Sequence, residues 1–281
     1  MGKFFTIEIN PLIPASKQVA TTTDEVLFDW TSFEIPKGAA KLLSLTAIVR
    51  GNNGAIQTAK DVDFVFAKTV DGTAPNTLGT LNATVSCLPN ITHHLIGHTF
   101  LDAGGAYGAN AWDHINMGTT GSGAAVSNIP NLVLEGEPNS GSNVGYDTLY
   151  IGGIIDGAFD FGTSVLTTGA HDVSGLSAAT IASLDDGSGG DALATKKFAV
   201  GDIIHATDDI ILGEIASIDS DASLTFRHDG GTSKYPQLGY TVPADLAAWK
   251  IQNGAGAAGD LANNDELFNV YPIKILLSFE R

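Results

Sequence analysis

Apolar and polar residues alternate with a period of two along most of the chain, the signature of strands with one face to bury. The first such stretch runs from Phe4 to Ile9 and stops before Pro11 and Pro14. Val26–Trp30 follows a Thr21-Thr22-Thr23 linker, and Leu42–Arg50 is the longest candidate, closed by Gly51-Asn52-Asn53-Gly54. Val62–Ala67 comes next, ahead of an Asp71-Gly72 turn, and Thr84–Leu88 ends at Pro89. Leu149–Ile151 and Ala158–Phe161 resume the pattern. Strands separated by Gly, Asn and Pro at this spacing predict a sandwich or barrel.

Between 104 and 145 the texture changes to Gly, Ala, Asn, Ser and Thr, with Trp112, Met117 and Leu132-Val133-Leu134 as apolar islands. Loops this long are usually functional, and the expectation is an elaborated loop with strand character near Val133. Ser177–Leu184 reads as two turns of helix, and Asp185–Asp191 as a linker. Phe198–His205, Ile210–Ile218 and Ala222–Arg227, separated by Asp-rich turns, form a three-stranded meander. Leu267–Phe279 alternates as a central strand should and is the natural neighbour of the first strand. The expected fold is all-β: a jelly-roll-like β-sandwich over 1–184 with the long loop 104–145, a small meander or barrel insert over 192–230, and a return to the sandwich over 231–281.

Composition narrows the function. The 281 residues include 31 acids and 14 bases, for a net charge of −17, and only 16% are charged. Phosphate contacts need clustered Lys and Arg, whereas the densest basic pair here is Lys196-Lys197. Nucleic acid and anionic membranes are therefore not expected partners. No run approaches the ~18 apolar residues of a membrane span, and the interrupted start, Met1–Glu8, predicts no secretory leader. Met1-Gly2 with Thr6 fits the short acylation pattern, but the alternation there predicts a strand. The single Cys87 excludes an internal disulfide and is expected to be a buried, inert thiol.

The candidate chemistry is sparse. His94 and His98 are four apart, as in the zincin motif, but Leu95 stands where the general base belongs and Gly97 weakens a helix. A metal held by His94, His98 and Asp102 or His114 is the weaker reading. The acidic turns Asp185-Asp186, Asp208-Asp209 and Asp219-Ser220-Asp221 lack the EF-hand pattern. Glu135 and Glu137 read as solvent-facing acids, and the sequons Asn82-Ala83-Thr84 and Asn90-Ile91-Thr92 have no leader to route them. No nucleophile elbow or phosphate-binding loop is present. The expectation is no catalytic residue, no cofactor and no metal.

Association is the better prospect. Trp112 and Leu132-Val133-Leu134 leave apolar surface in water unless a partner covers them. The terminal strands, through Phe4, Ile7, Ile275 and Phe279, are expected to extend a neighbour's sheet. These eight residues are the candidate interface of a homo-oligomer, a trimer being favoured.

The segment Trp30-Thr31-Ser32-Phe33-Glu34-Ile35-Pro36-Lys37-Gly38-Ala39, with the strand from Leu42, resembles the first hairpin of a capsid-decorating β-sandwich. Phe198, Val200-Gly201-Asp202-Ile203-Ile204 and Leu212–Asp219 are similar to the small β-barrel inserts of phage head and tail proteins. The chain thus resembles virion structural proteins of tailed phages of the marine and cyanobacterial kind. The resemblance implies a non-enzymatic virion protein that decorates or cements a capsid, with itself and a major capsid or other virion protein as partners. Two alternatives stand beside it: a tail, fibre or cell-surface structural component, and an enzyme or carbohydrate-binding module on a β-sandwich.

Overall fold

An alternating strand must bury its apolar face, and two facing sheets are the simplest way to do so. The computed structural model describes residues 2–50, 60–102, 111–112, 115–120, 130–137, 146–161, 165–167, 171–172, 178–181, 184–185, 194–206, 210–227, 260–261 and 266–281. Among them the chain is all-β, and its one α-helix, α1, is the single turn Ala194–Lys197.

The first sheet contains β1 (Phe4–Ile9), β3 (Ala40–Arg50), β6 (Ala111–Trp112), β7 (Ile115–Thr119), β8 (Leu132–Leu134) and β19 (Ile273–Glu280). Its order is β1-β19-β3-β7-β6, with β8 also on β3. The facing sheet has the order β2-β9-β4-β5, from β2 (Thr23–Pro36), β9 (Tyr146–Asp156), β4 (Asp61–Lys68) and β5 (Leu95–Leu101). Every strand pair in both is antiparallel. Leu42, Leu45, Ile275 and Phe279 of one sheet share a buried core with Phe33, Phe64, Phe66 and Ile151 of the other. Phe33 links them through its ring, 6.5 Å from Phe279 and 6.4 Å from Phe66. Each such fully buried side chain contributes about 1.5–3 kcal/mol.

The first and last strands pair as expected, with Phe5 opposite Phe279 and Ile9 opposite Ile275. β19, however, lies between β1 and β3, and Ile273, Ile275, Leu277 and Phe279 are all buried. Both of its hydrogen-bonding edges are already used. Ile275 and Phe279 therefore belong to the chain's own core and not to an interface with a neighbour.

Two consecutive glycines serve both faces of β9. A Cβ on Gly153 meets the Phe28 ring in the core, 2.8 Å from Cδ1 and closer still to Cε1. A Cβ on Gly152 meets the outer face, 2.5 Å from Leu78 Cδ1 and 3.3 Å from Trp30 Cε3. That outer face is covered by the segment joining β4 to β5, where Leu78 and Ile91 bury Val26 beside Trp30, Val65 and Cys87. Residues 84–88 belong to this cover. They touch the outer edge of β2 through a bridge at Thr84 and backbone hydrogen bonds between Val85 N–H and Asp24 O and between Val26 N–H and Ala83 O, but do not form the expected strand. Cys87 is half-buried there. Residues 158–161 are likewise not a strand; Phe159 and Phe161 pack edge-to-face 4.7 Å apart in the core.

A third, seven-stranded sheet has the order β12-β16-β15-β14-β18-β10-β13. Its centre is the predicted meander, β14 (Ile203–Ala206), β15 (Ile210–Ser220) and β16 (Ser223–Arg227). The sheet also takes in β10 (Val165–Thr167), β12 (Ala178–Ile181), β13 (Leu184–Asp185) and β18 (Glu266–Asn269), from stretches assigned by sequence to the sandwich. Within the expected helix at 177–184, the described residues Ala178–Ile181 and Leu184 lie in strands instead. The open edge of β16 pairs with Ala178–Ile181, and Thr180 and Thr225 join their hydroxyls at 2.7 Å. A separate ribbon pairs β11 (His171–Asp172) with β17 (Asp260–Leu261).

Candidate functional site

β2 and β9 pair with Phe28 opposite Gly153 and Thr31 opposite Ile151, so β2 carries one extra residue between them. Such a bulge re-aims side chains, and here it accompanies the arrival of Asp29 and Trp30 in a surface furrow. The Trp30 Nε1–H donates to the Asn76 carbonyl at 2.7 Å, and the indole edge lies over Gly152. Asp29 Oδ1 accepts the Leu78 N–H at 2.9 Å. Both side chains are therefore fixed from behind by the covering segment.

Across from them lie Glu8, the next-to-last residue of β1, and Tyr271, two residues before β19. The furrow has a volume of about 690 Å³ and is lined by Asp29, Trp30, Ser32, Glu8, Asn10 and Tyr271, among others. A second hollow of about 500 Å³ shares Glu8, Asn10 and Tyr271 and continues to Arg50, Asp202 and Lys274. The two hollows adjoin at these three shared residues, and together they are called the trough below.

Charges along the trough are largely matched. Glu8 Oε1 takes Lys274 Nζ at 3.0 Å and the Asn10 amide at 3.1 Å. The Lys274 bond first, and the Asn10 bond after it, hold the Glu8 carboxyl below its ordinary value of 4.5. Arg50 grips Asp202 with two parallel hydrogen bonds of 2.8 Å, joining β3 to the turn before β14. Burial raises the Tyr271 phenol above 10.0, so it stays protonated at neutral pH. Asn269 is a buried residue beside the second hollow: its Oδ1 accepts the Tyr271 N–H at 2.9 Å, and its Nδ2, shut off from solvent, has no partner among the described residues. A carboxylate held ionised, as Glu8 is, accepts hydrogen bonds on both oxygens.

The sequence candidates lie elsewhere. Phe4 is 70% exposed on β1, and Ile7 is half-buried against the core. Val133 is 64% exposed on β8, whereas Leu134 is fully buried and Leu132 packs on the core beside Gly97. Leu134 is therefore no interface residue; pairing of β8 with the start of β3 turns it inward. The Trp112 backbone pairs with Ile115, while its side chain, like His114, lies outside the described residues. His94 and His98 share no helix: His94 follows a 3-10 turn with Nδ1 2.9 Å from the Lys68 carbonyl, and His98 is exposed in β5. Among the described residues no three His, Cys, Asp or Glu side chains are grouped to hold a metal ion. Asp208-Asp209 also falls outside them. Glu137 is not merely solvent-facing, for it accepts the Asp71 and Gly72 N–H groups at 2.6 and 2.9 Å.

Sequence reading missed the trough because Glu8, Trp30 and Arg50 each looked like ordinary strand residues. The available signal was Asp29-Trp30, which interrupts the apolar run of β2. No family model matches the chain, and no curated protein matches it.

Proposed function

We propose that this chain is a structural protein of a phage virion, decorating or cementing the capsid surface and assembling through its own sheet edge. The observation that carries the reading is β1. Among the described residues it pairs with β19 alone and presents Phe4, 70% exposed, beside that open edge. An edge of this kind templates strand addition by a second chain. Burying even ~100 Å² of apolar surface contributes about 2.5 kcal/mol. Exposed Val133 on β8 offers a further apolar contact on the same sheet. The net charge of −17 opposes association, but that repulsion is screened over about 8 Å at physiological salt, so association should strengthen as salt is added.

Labelling native particles with an antibody against this chain, together with sedimentation of the purified protein at low and high salt, tests the reading. Regular decoration of capsids and a salt-strengthened oligomer weakened by Phe4→Lys are expected. A monomer at both salts and particles without label would overturn it.

A further inference from the structure

We propose that the trough between Trp30 and Arg50 is a binding site for a neutral oligosaccharide. The inference does not rest on capsid assembly, since a monomer carries the same trough. Three observations support it. The hollows, at about 690 and 500 Å³, fall within the roughly 300–1,000 Å³ of ligand clefts. Two hollows adjoining at Glu8, Asn10 and Tyr271 offer room for more than one ring.

The lining has the chemistry that polyols require. A pyranose offers an apolar C–H face and a rim of hydroxyls, which an aromatic ring and planar acceptor groups answer respectively. Trp30 supplies the ring, locked by its bond to Asn76 and by the glycine beneath it. Glu8 and Asp29 supply carboxylates that are already oriented, each by a hydrogen bond to one oxygen. Such preorganisation lowers the entropic cost of binding.

Charge selects the ligand class. Lys274 neutralises Glu8 and Arg50 neutralises Asp202, leaving Asp29 as the remaining charge among these groups. An anionic glycan or a nucleic acid meets a carboxylate with no spare cation, while a polycation finds two of the three acids already satisfied.

The test is a titration of the full-length protein with neutral hexose oligosaccharides, with uronic-acid and sialylated oligosaccharides as controls. Binding is read on a glycan array and by the indole N–H resonance of Trp30, one of three tryptophans. Binding of at least one neutral series is expected, with the Trp30 resonance shifting. Trp30→Ala should weaken it by at least about tenfold, as for a stacked aromatic anchor; Trp30→Phe should keep most of the affinity. Glu8→Gln, which keeps the shape, serves if Trp30→Ala does not fold and should also weaken binding. No neutral ligand at millimolar concentration, preference for the anionic controls, or binding that leaves the Trp30 resonance unmoved would overturn the proposal.

Discussion

Replacing Gly153 by alanine tests whether the sandwich is packed as described. Gly153 lies opposite both Phe28 and Phe64, whose rings are 6.2 Å apart. A Cβ there stands 2.8 and 2.9 Å from Phe28 Cδ1 and Cζ, against the roughly 3.5–4.0 Å of good carbon contacts. Phe28 is buried and has no space to retreat without displacing its neighbours. Overpacking of this kind costs about 1–3 kcal/mol, and the backbone entropy gained on leaving glycine offsets about 0.5–1 kcal/mol. The net expectation is a loss of roughly 1–2 kcal/mol, read as a lower urea midpoint at unchanged slope.

The attribution to Phe28 has its own control. Phe28→Leu removes Cε1 and Cζ, so Gly153→Ala should cost much less in that background, giving a coupling of at least about 1 kcal/mol in a double-mutant cycle. An unchanged midpoint for the single variant, or strict additivity in the cycle, would refute the reasoning.

Other consequences are separately measurable. Arg50→Met, which strands Asp202 at the junction with the third sheet, should lower stability by about 1–3 kcal/mol, the worth of a charged hydrogen bond; chemical denaturation reads it. Glu137 is held below its ordinary value of 4.5 by the Gly72 N–H first, then by Thr69 and the Asp71 N–H. Its stabilisation is thus present above the unfolded value and lost as pH falls through the lower folded one. Protection of the Asp71 and Gly72 amides, taken relative to their intrinsic exchange at each pH, should fall in that acidic window and stay constant there in Glu137→Gln. Asp63 has the opposite sign. Burial raises it above 3.8, against the attraction of His98 and with help from Asp156, Asp61 and Asp24. Asp63→Asn should therefore stabilise the fold at neutral pH, with the gain fading as pH drops below the raised value.

Much of the sandwich is legible in alternation alone. Leu42–Arg50 extends by two residues to become β3, Val62–Ala67 becomes β4, and Phe4–Ile9 finds the final strand as partner. Asp71-Gly72 forms the expected tight turn, with φ of 52° and 73° at the two residues. Alternation fails where neighbouring chain decides the outcome. Thr84–Leu88 has a strand's pattern, but it meets the edge of β2 only through isolated backbone contacts and packs instead over Val26 and Ile91. Ala178–Ile181 has a short apolar pattern that fits helix or strand, and the free edge of β16 selects strand. The trough was least legible of all, because its parts come from positions as far apart as Glu8, Trp30 and Tyr271.

Gly152 and Gly153 show how core and site depend on one local choice. Side chains in a strand alternate between faces, so two adjacent glycines clear space on both at once. Gly153 admits Phe28 to the core, and Gly152 lets Leu78 and Trp30 lie against the outer face. Leu78 in turn gives the N–H that fixes Asp29. The stability of the sandwich and the shape of the trough are thus set at neighbouring residues on opposite faces of one strand. Alanine at Gly153 should lower stability through Phe28, whereas alanine at Gly152 should displace Leu78 first, 2.5 Å away, and reach Asp29 through the Leu78 N–H and Trp30 through its 3.3 Å contact.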